Sequence, residues 1–167
     1  MVAIASRAQA GDILRRLVAG RLGLDPAHLP LAVRADGKPV LDPASGLPDV
    51  RFSLSHSGRR VLIAIAEGVE VGVDVERVTE KRSPEYLRNW TRREAYLKGT
   101  GRGLRGDPRE VSFEPAGEGF AAIDHGELVD GWRVVDLDVG EGYVAALAAD
   151  SEVDVRLRFD PALAQGA

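Results

Sequence analysis

Two acidic residues on one predicted strand are the first candidates for chemistry. Over residues 71–76, valines alternate with Gly72, Asp74 and Glu76, which is the period-two pattern of a β-strand. Asp74 and Glu76 therefore project from the same face, with Cα atoms about 7 Å apart. Two carboxylates at that spacing can bind one hard cation through oxygen. The alternative is a half-buried strand that shows its charged residues to solvent. Gly72 on the same face favours close approach by a ligand or by backbone.

A carboxylate and an ammonium group follow on a predicted helix. Ser83 suits the N-cap and Pro84 the first helical position, and the glycines from Gly99 onward end the helix near Lys98. Glu94 lies one turn before Lys98, on a stripe that also carries apolar residues. Charged groups on an inward stripe need a metal, a phosphate or each other. A solvated ion pair between the two is the alternative.

Residues 51–57 read RFSLSHS and predict a strand that ends in a polar loop. The loop, Ser55 to Gly58, offers hydroxyls, an imidazole and backbone N–H groups, all of which can contact phosphate. The same residues also suit an ordinary turn between two strands. A serine hydrolase is a poor fit, because the serines and the histidine are adjacent and no G-x-S-x-G motif occurs.

The elements that position these residues fall into two halves, 1–76 and 77–167, which we predict to be two small subdomains of one structural unit. The first half is predicted to hold a helix from about Val2 to Ala19 and strands near 31–34, 50–55, 60–66 and 71–76. The second half is predicted to hold a helix over 84–98 and strands near 110–114, 132–138, 142–149 and 153–159. Residues 69–76 and 143–149 are the expected central strands, one per half. The tail from Pro161 is expected to fray.

Composition is typical of a globular protein and excludes several classes. The chain has 167 residues, 44% hydrophobic and 29% charged, which are ordinary values for a globular domain. The absence of cysteine excludes disulfides, thiolate zinc sites and a cysteine nucleophile. A net charge of −4 argues against general nucleic-acid binding. No signal peptide or membrane span is visible, which predicts a cytoplasmic location.

The order of these segments resembles that of the Sfp-type 4'-phosphopantetheinyl transferase family. The matching blocks are GKP (37–39), RFSLSHS (51–57), GVDVE (72–76), WTRREAYLK (90–98) and GTGRGL (99–104). The resemblance covers most of residues 6–150. It implies an α+β fold, a pseudo-twofold pair of subdomains that each pack a helix on an antiparallel sheet. The active site is expected in the cleft between them, with Asp74 and Glu76 from the first subdomain and Glu94 from the second.

The resemblance also implies roles for individual residues. The implied ligands of Mg²⁺, held against the pyrophosphate of coenzyme A, are Asp74, Glu76 and Glu94. The implied catalytic residues are Glu94, as the general base, and Lys98, which meets the charge on the departing 3',5'-ADP. The implied contacts to coenzyme A are Lys38, Ser55, His56 and, at the start of the first helix, Arg7.

The implied reaction moves the 4'-phosphopantetheine arm of coenzyme A to a serine of an acyl or peptidyl carrier protein. Such carriers serve fatty-acid, polyketide or nonribosomal-peptide synthesis. Family members usually begin with an additional segment, and they usually have a longer connection where this chain has residues 77–89. The alternative is therefore a non-catalytic member that binds coenzyme A or a carrier protein. We expect a monomer, with a homodimer as the alternative.

Overall fold

The computed structural model describes residues 2–3, 7–35, 37–150 and 159–160. The described α-helices are α1 (Arg7–Leu22) and α2 (Pro84–Gly99). The described strands are β1 (Val2–Ala3), β2 (Leu31–Val33), β3 (Pro39–Leu41), β4 (Val50–Ser57), β5 (Arg60–Glu67), β6 (Val71–Arg77), β7 (Val111–Ala116), β8 (Gly119–Asp124), β9 (Glu127–Leu137), β10 (Tyr143–Ala149) and β11 (Phe159–Asp160). Neither described helix is long and apolar enough to cross a bilayer.

The strands form two sheets and a separate hairpin. A four-stranded sheet has the order β11-β1-β5-β4, and a five-stranded sheet has the order β6-β10-β9-β8-β7. All described pairs are antiparallel except β1 with β11, and β2 pairs with β3 in the hairpin. The predicted α+β class, with two helices and antiparallel sheets, is confirmed.

Each helix packs its apolar face on one sheet. Helix α1 buries Ile13 and Val18 against Phe52 and Ile63 of the first sheet. Helix α2 buries residues 95–97 against the second sheet. Each fully buried side chain of this kind contributes about 1.5–3 kcal/mol of burial free energy.

The start of α2 confirms its sequence prediction. The Ser83 hydroxyl accepts a hydrogen bond of 3.2 Å from the backbone N–H of Tyr86, and Pro84 occupies the first turn. The bounds predicted from these local signals, 84–98, differ from the observed Pro84–Gly99 by one residue. Local capping chemistry was enough to place the helix that carries Glu94 and Lys98.

Strand β6, which carries Asp74 and Glu76, belongs to the five-stranded sheet. It pairs antiparallel with β10, from Val71 opposite Ala149 to Arg77 opposite Tyr143. The expected central strand over 143–149 is confirmed, because β10 lies between β6 and β9, whereas the one expected over 69–76 is wrong, because β6 lies at the edge of the same sheet. Its valines are buried against Leu62 and Ala64 of β5, so this strand joins the two sheets. The four-stranded sheet includes β11 from the second half of the chain, and the five-stranded sheet includes β6 from the first half. Each sheet therefore contains strands from both sides of the predicted boundary at residue 76.

Other differences lie at element ends. The helix predicted from Val2 begins at Arg7, because Val2–Ala3 pair with β5 and so cover backbone groups of that strand. Strands β3 and β8 were not predicted, and β9 begins at Glu127 rather than near residue 132. Of the strand predicted over 153–159, the structure describes Phe159 alone, and the predicted tail from Pro161 lies outside the described residues.

Candidate active site

Helix α2 rests directly on β6 because residue 72 has no side chain. A Cβ atom at Gly72 would lie closer than 3.0 Å to the carbonyl oxygen of Ala95 and to the amide nitrogen of Gly99. The prediction of close backbone approach at Gly72 is thus confirmed. The face of β6 that carries Asp74 is covered by α2, and Asp74 is only 4% exposed. The alternative of a solvated face is wrong for this residue.

Asp74 has one carboxylate oxygen that is hydrogen-bonded and one that has no partner among the described residues. Its Oδ1 accepts hydrogen bonds from Lys98 Nζ at 2.6 Å and from the Ser55 hydroxyl at 2.7 Å. Its Oδ2 is buried and has no hydrogen-bond partner within the described part of the chain. A buried carboxylate oxygen without a partner is costly unless a ligand satisfies it.

Lys98 turns toward β6 rather than toward solvent. Besides Asp74, its ammonium group donates to the Ser55 hydroxyl at 3.2 Å and to the carbonyl oxygen of Val73 at 3.3 Å. All three donors of the ammonium group therefore have acceptors. The alternative of a solvated Glu94–Lys98 pair is wrong, because Lys98 pairs with Asp74 across the helix–strand contact.

Glu94 is half-buried, and its carboxylate has no hydrogen-bond or ion-pair partner among the residues that the structure describes. Burial raises the pKa of Glu94, and the negative charge of Asp74 raises it further. Lys98 lowers it, and Glu76 adds a smaller rise. The three carboxylates are therefore close enough to repel one another. A carboxylate with a raised pKa is a stronger proton acceptor than an ordinary glutamate.

No group of three or more His, Cys, Asp and Glu residues in the described ranges is arranged so that it could hold a metal ion as it stands. Lys98 lies on one oxygen of Asp74, and Ser57 donates to Glu76 at 2.9 Å. The donor chemistry nonetheless fits a hard cation. Within the described part of the chain, Asp74 Oδ2 and the carboxylate of Glu94 have no hydrogen-bond partners, and their charges repel. The triad of Asp74, Glu76 and Glu94 stays a prediction.

A cavity of about 480 Å³ opens beside these residues, between α1, β4 and α2. Four of the predicted site residues line it: Lys38, His56, Glu94 and Lys98. Apolar side chains such as Leu14, Phe52 and Leu54 form much of the remaining wall. This combination of size, apolar walls and a few convergent charged groups is typical of small-molecule sites.

Comparison with known proteins identifies relatives of the chain. No family model matches the chain. It is 28% identical to a 4'-phosphopantetheinyl transferase of Bacillus subtilis, over 87% of this chain and 74% of that protein. It is 25% identical to the 4'-phosphopantetheinyl transferase HetI of Nostoc sp. strain PCC 7120, over 81% of this chain and 67% of HetI. It is 24% identical to the 4'-phosphopantetheinyl transferase Sfp of Bacillus subtilis strain 168, over 87% of this chain and 74% of Sfp.

The chain is thus similar to 4'-phosphopantetheinyl transferases over most of its length, and these homologues support the family expected from the sequence. The enzyme class predicted from its sequence blocks is confirmed, and the α+β fold agrees with that class.

The residues expected to contact coenzyme A are only partly brought together. Lys38 lines the cavity and also binds Glu70 Oε2 at 3.1 Å and the carbonyl oxygen of Val71 at 3.2 Å. His56 is exposed at the cavity wall. Arg7 begins α1, and its side chain lies outside what the structure describes.

Ser55 has a different environment from the one expected of a phosphate contact. It is buried, donates to Asp74, and accepts from the backbone N–H of Val75 and from Lys98. These bonds use the one donor and both acceptor positions of the hydroxyl. In this structure Ser55 therefore supports Asp74 and Lys98, and a contact to coenzyme A stays a prediction.

The loop after α2 is anchored by residues that the sequence patterns did not single out. Arg102 forms an ion pair with Asp124, and Tyr96 donates to the same carboxylate at 3.1 Å. Burial and the negative charge of Asp124 raise the pKa of Tyr96 to about 12, so its phenol remains a donor at neutral pH. This anchor fixes the glycine-rich loop after α2, of which Gly101 and Gly103 line the cavity.

Proposed function

We propose that the protein transfers the 4'-phosphopantetheine arm of coenzyme A to a serine of an acyl or peptidyl carrier protein, with Mg²⁺, releasing 3',5'-ADP. One observation carries the proposal: Glu94 has a raised pKa, has no hydrogen-bond or ion-pair partner among the described residues, and lies next to the Asp74–Lys98 pair at the wall of the 480 Å³ cavity. A proton acceptor and a cation at one cavity are what this transfer requires. The names of the relatives support the same reaction class.

The serine hydroxyl oxygen attacks the β-phosphorus of coenzyme A, forming a new oxygen–phosphorus bond as the pyrophosphate bond to 3',5'-ADP breaks. Glu94 accepts the hydroxyl proton, directly or through a water molecule. Lys98 balances the negative charge that develops on the departing phosphate. Little covalent chemistry falls to the protein, so positioning and charge neutralisation supply most of the rate.

The proposed metal ligands are Asp74, Glu76 and Glu94. Bound there, Mg²⁺ would neutralise charge on the pyrophosphate oxygens. Lys98 already compensates one of the three carboxylates, which limits the negative charge that a cation must balance. Lys38 and His56 are the proposed phosphate contacts from the cavity wall, with Arg7 and Ser55 as further candidates.

Intact mass spectrometry of apo carrier proteins tests the reaction. An acyl carrier protein and a peptidyl carrier protein are each incubated with this protein, coenzyme A and Mg²⁺. We expect a mass gain of one phosphopantetheine on at least one of them, and no gain with EDTA. The absence of any gain, with coenzyme A binding still measurable by calorimetry, would instead support the non-catalytic binding protein.

Lys98→Met should lower both transfer and stability. We expect transfer to fall about 10²–10³-fold, because the departing phosphate loses its cation. The free energy of unfolding should fall by about 1–3 kcal/mol, since buried Asp74 loses a charged hydrogen-bond partner. Mass-spectrometric rates and urea denaturation measure the two effects.

Arg92→Met is the matched control on the same helix. Arg92 binds Asp136 Oδ1 at 2.7 Å and has a side chain only 13% exposed, but it lies outside the cavity lining. This control should lose stability and keep its transfer rate. Full transfer by Lys98→Met would refute the leaving-group role.

A further inference from the structure

Three serines at alternate positions of β4 are hydrogen-bonded to the backbone of β6. Ser53, Ser55 and Ser57 accept from the N–H groups of Val73, Val75 and Arg77 at 3.1, 3.3 and 3.0 Å. We call these three residues the serine ladder. They satisfy N–H groups of an edge strand with side-chain oxygens where a neighbouring strand would supply carbonyl groups.

The serine ladder also reaches the acidic residues of β6. Ser55 donates to Asp74 at 2.7 Å, and Ser57 donates to Glu76 Oε2 at 2.9 Å. Ser53 bonds the backbone of β6 and contacts neither carboxylate. The three members thus make the same bond to the strand but differ in what else they hold.

Ser57 makes two hydrogen bonds, one to the backbone of β6 and one to the carboxylate of Glu76. Its hydroxyl is fixed from one side by the N–H of Arg77, so its proton is directed at the carboxylate of the preceding residue, Glu76. That bond is the one hydrogen bond to Glu76 in the described part of the chain. Without it, a half-buried glutamate side chain would be free to change rotamer.

We propose that Ser57 is a positioning residue that fixes the carboxylate of Glu76 for cation binding with Asp74 and Glu94. The inference rests on the proposed function, because that function supplies the reason for a cation at this place. A hydrogen bond to the outer oxygen of a ligating carboxylate fixes its orientation, and removal of such a partner typically lowers metal affinity about 10–100-fold.

The test compares Ser57→Ala, Ser57→Thr and Ser53→Ala in the full chain. Binding of Mn²⁺, as a probe for Mg²⁺, is measured by electron paramagnetic resonance in the presence of coenzyme A. We expect Ser57→Ala to weaken Mn²⁺ binding about tenfold, and Ser57→Thr, which keeps the hydroxyl, to restore it to within threefold. The Mg²⁺ concentration for half-maximal transfer should rise in parallel, while kcat at saturating Mg²⁺ changes less.

Ser53→Ala is the control that distinguishes a loss of Glu76 positioning from a general weakening of the contact between β4 and β6. It removes a bond of the same kind to β6 and leaves both carboxylate contacts in place. It should lower the melting temperature at least as much as Ser57→Ala, because Ser53 is more buried, yet leave Mn²⁺ affinity within twofold. Equal loss of Mn²⁺ affinity in both alanine variants, or wild-type affinity in Ser57→Ala, would overturn the proposal.

Crystal structures of the wild type and Ser57→Ala, both metal-free at the same pH, decide the role of Ser57 independently of the reaction. A displaced or disordered Glu76 side chain in Ser57→Ala supports the positioning role, and an unchanged one overturns it. Failure of the wild type to transfer phosphopantetheine, with Mn²⁺ binding intact, would count against the proposed function alone, whereas failure of the wild type to bind Mn²⁺ would also overturn the role of Ser57 in cation binding. The crystallographic comparison would still stand.

Discussion

Glu94→Gln should abolish transfer and at the same time stabilise the metal-free protein at neutral pH. The amide has nearly the shape of the carboxyl group but cannot accept the serine proton, so transfer should fall about 10²–10⁴-fold. Stability should rise because the charge of Glu94 is half-buried and repelled by Asp74 and Glu76. Loss of that repulsion should add about 0.5–1 kcal/mol to the free energy of unfolding.

The stability gain of Glu94→Gln should depend on pH. The folded state raises the pKa of Glu94 above its ordinary value of 4.5, so the folded protein holds this proton more tightly than the unfolded chain does. The destabilising contribution of Glu94 therefore begins as pH rises past about 4.5 and is complete above the folded pKa. The advantage of Glu94→Gln should be complete once the pH exceeds the folded pKa of Glu94, and it should vanish below about pH 4.5. Urea denaturation with EDTA at several pH values measures it.

Glu85→Gln is the control for the removal of one negative charge from the same helix. Glu85 lies exposed in the first turn of α2, where the helix dipole favours an acid. This control should be no more stable than the wild type at pH 7 and should keep its transfer rate. A Glu94→Gln variant that is no more stable at pH 7 than at pH 4, or that transfers at the wild-type rate, would contradict the assignment of Glu94.

Local signals predicted the elements that carry the site, and long-range pairing decided how they meet. The N-cap at Ser83 and the glycines after Lys98 were enough to place α2, because capping is chemistry between near neighbours in the chain. The period-two pattern over 71–76 correctly gave a strand with Asp74 and Glu76 on one face. A period of two determines which side chains share a face of the strand, but it does not determine which strands pair with it. The pairing of β6 with β10 was therefore not predicted.

The ion pair at the site likewise depends on a contact that local sequence spacing does not predict. Helical spacing brings Glu94 and Lys98 onto one stripe, which made a pair between them the natural alternative. In the folded chain Lys98 binds Asp74, 24 residues earlier, because α2 approaches β6 at Gly72. The serine ladder was visible in the sequence as S-x-S-x-S over 53–57, but its partners on β6 depend on how two sheets pack.

Gly72→Ala should lower the free energy of unfolding severely. The new Cβ would lie closer than 3.0 Å to the backbone of Ala95 and Gly99. No rotamer change relieves a clash with backbone, so α2 must move away from β6 or the fold must open. Overpacking of this kind costs about 3 kcal/mol or more when the neighbours cannot yield. Urea denaturation, or the folded fraction at 25 °C if the variant is marginal, measures the loss.

Gly20→Ala supplies the matched control for Gly72→Ala. Gly20 lies exposed within α1, and a Cβ there meets no atom within 4 Å. Alanine should therefore stabilise the helix by about 0.5–1 kcal/mol, the ordinary gain over glycine. A Gly72→Ala protein as stable as the wild type would show that α2 and β6 are not in close contact.

Transfer by the folded fraction of Gly72→Ala links this packing contact to the chemistry. Any shift of α2 that admits the methyl group also moves Lys98 away from Asp74 and Glu94 away from β6, because both residues are carried by that helix. The rate per folded molecule should therefore fall well beyond the loss of folded protein, whereas Gly20→Ala keeps the wild-type rate. An undiminished rate per folded molecule would mean that the reacting groups do not depend on how closely α2 lies on β6, contrary to the site described above.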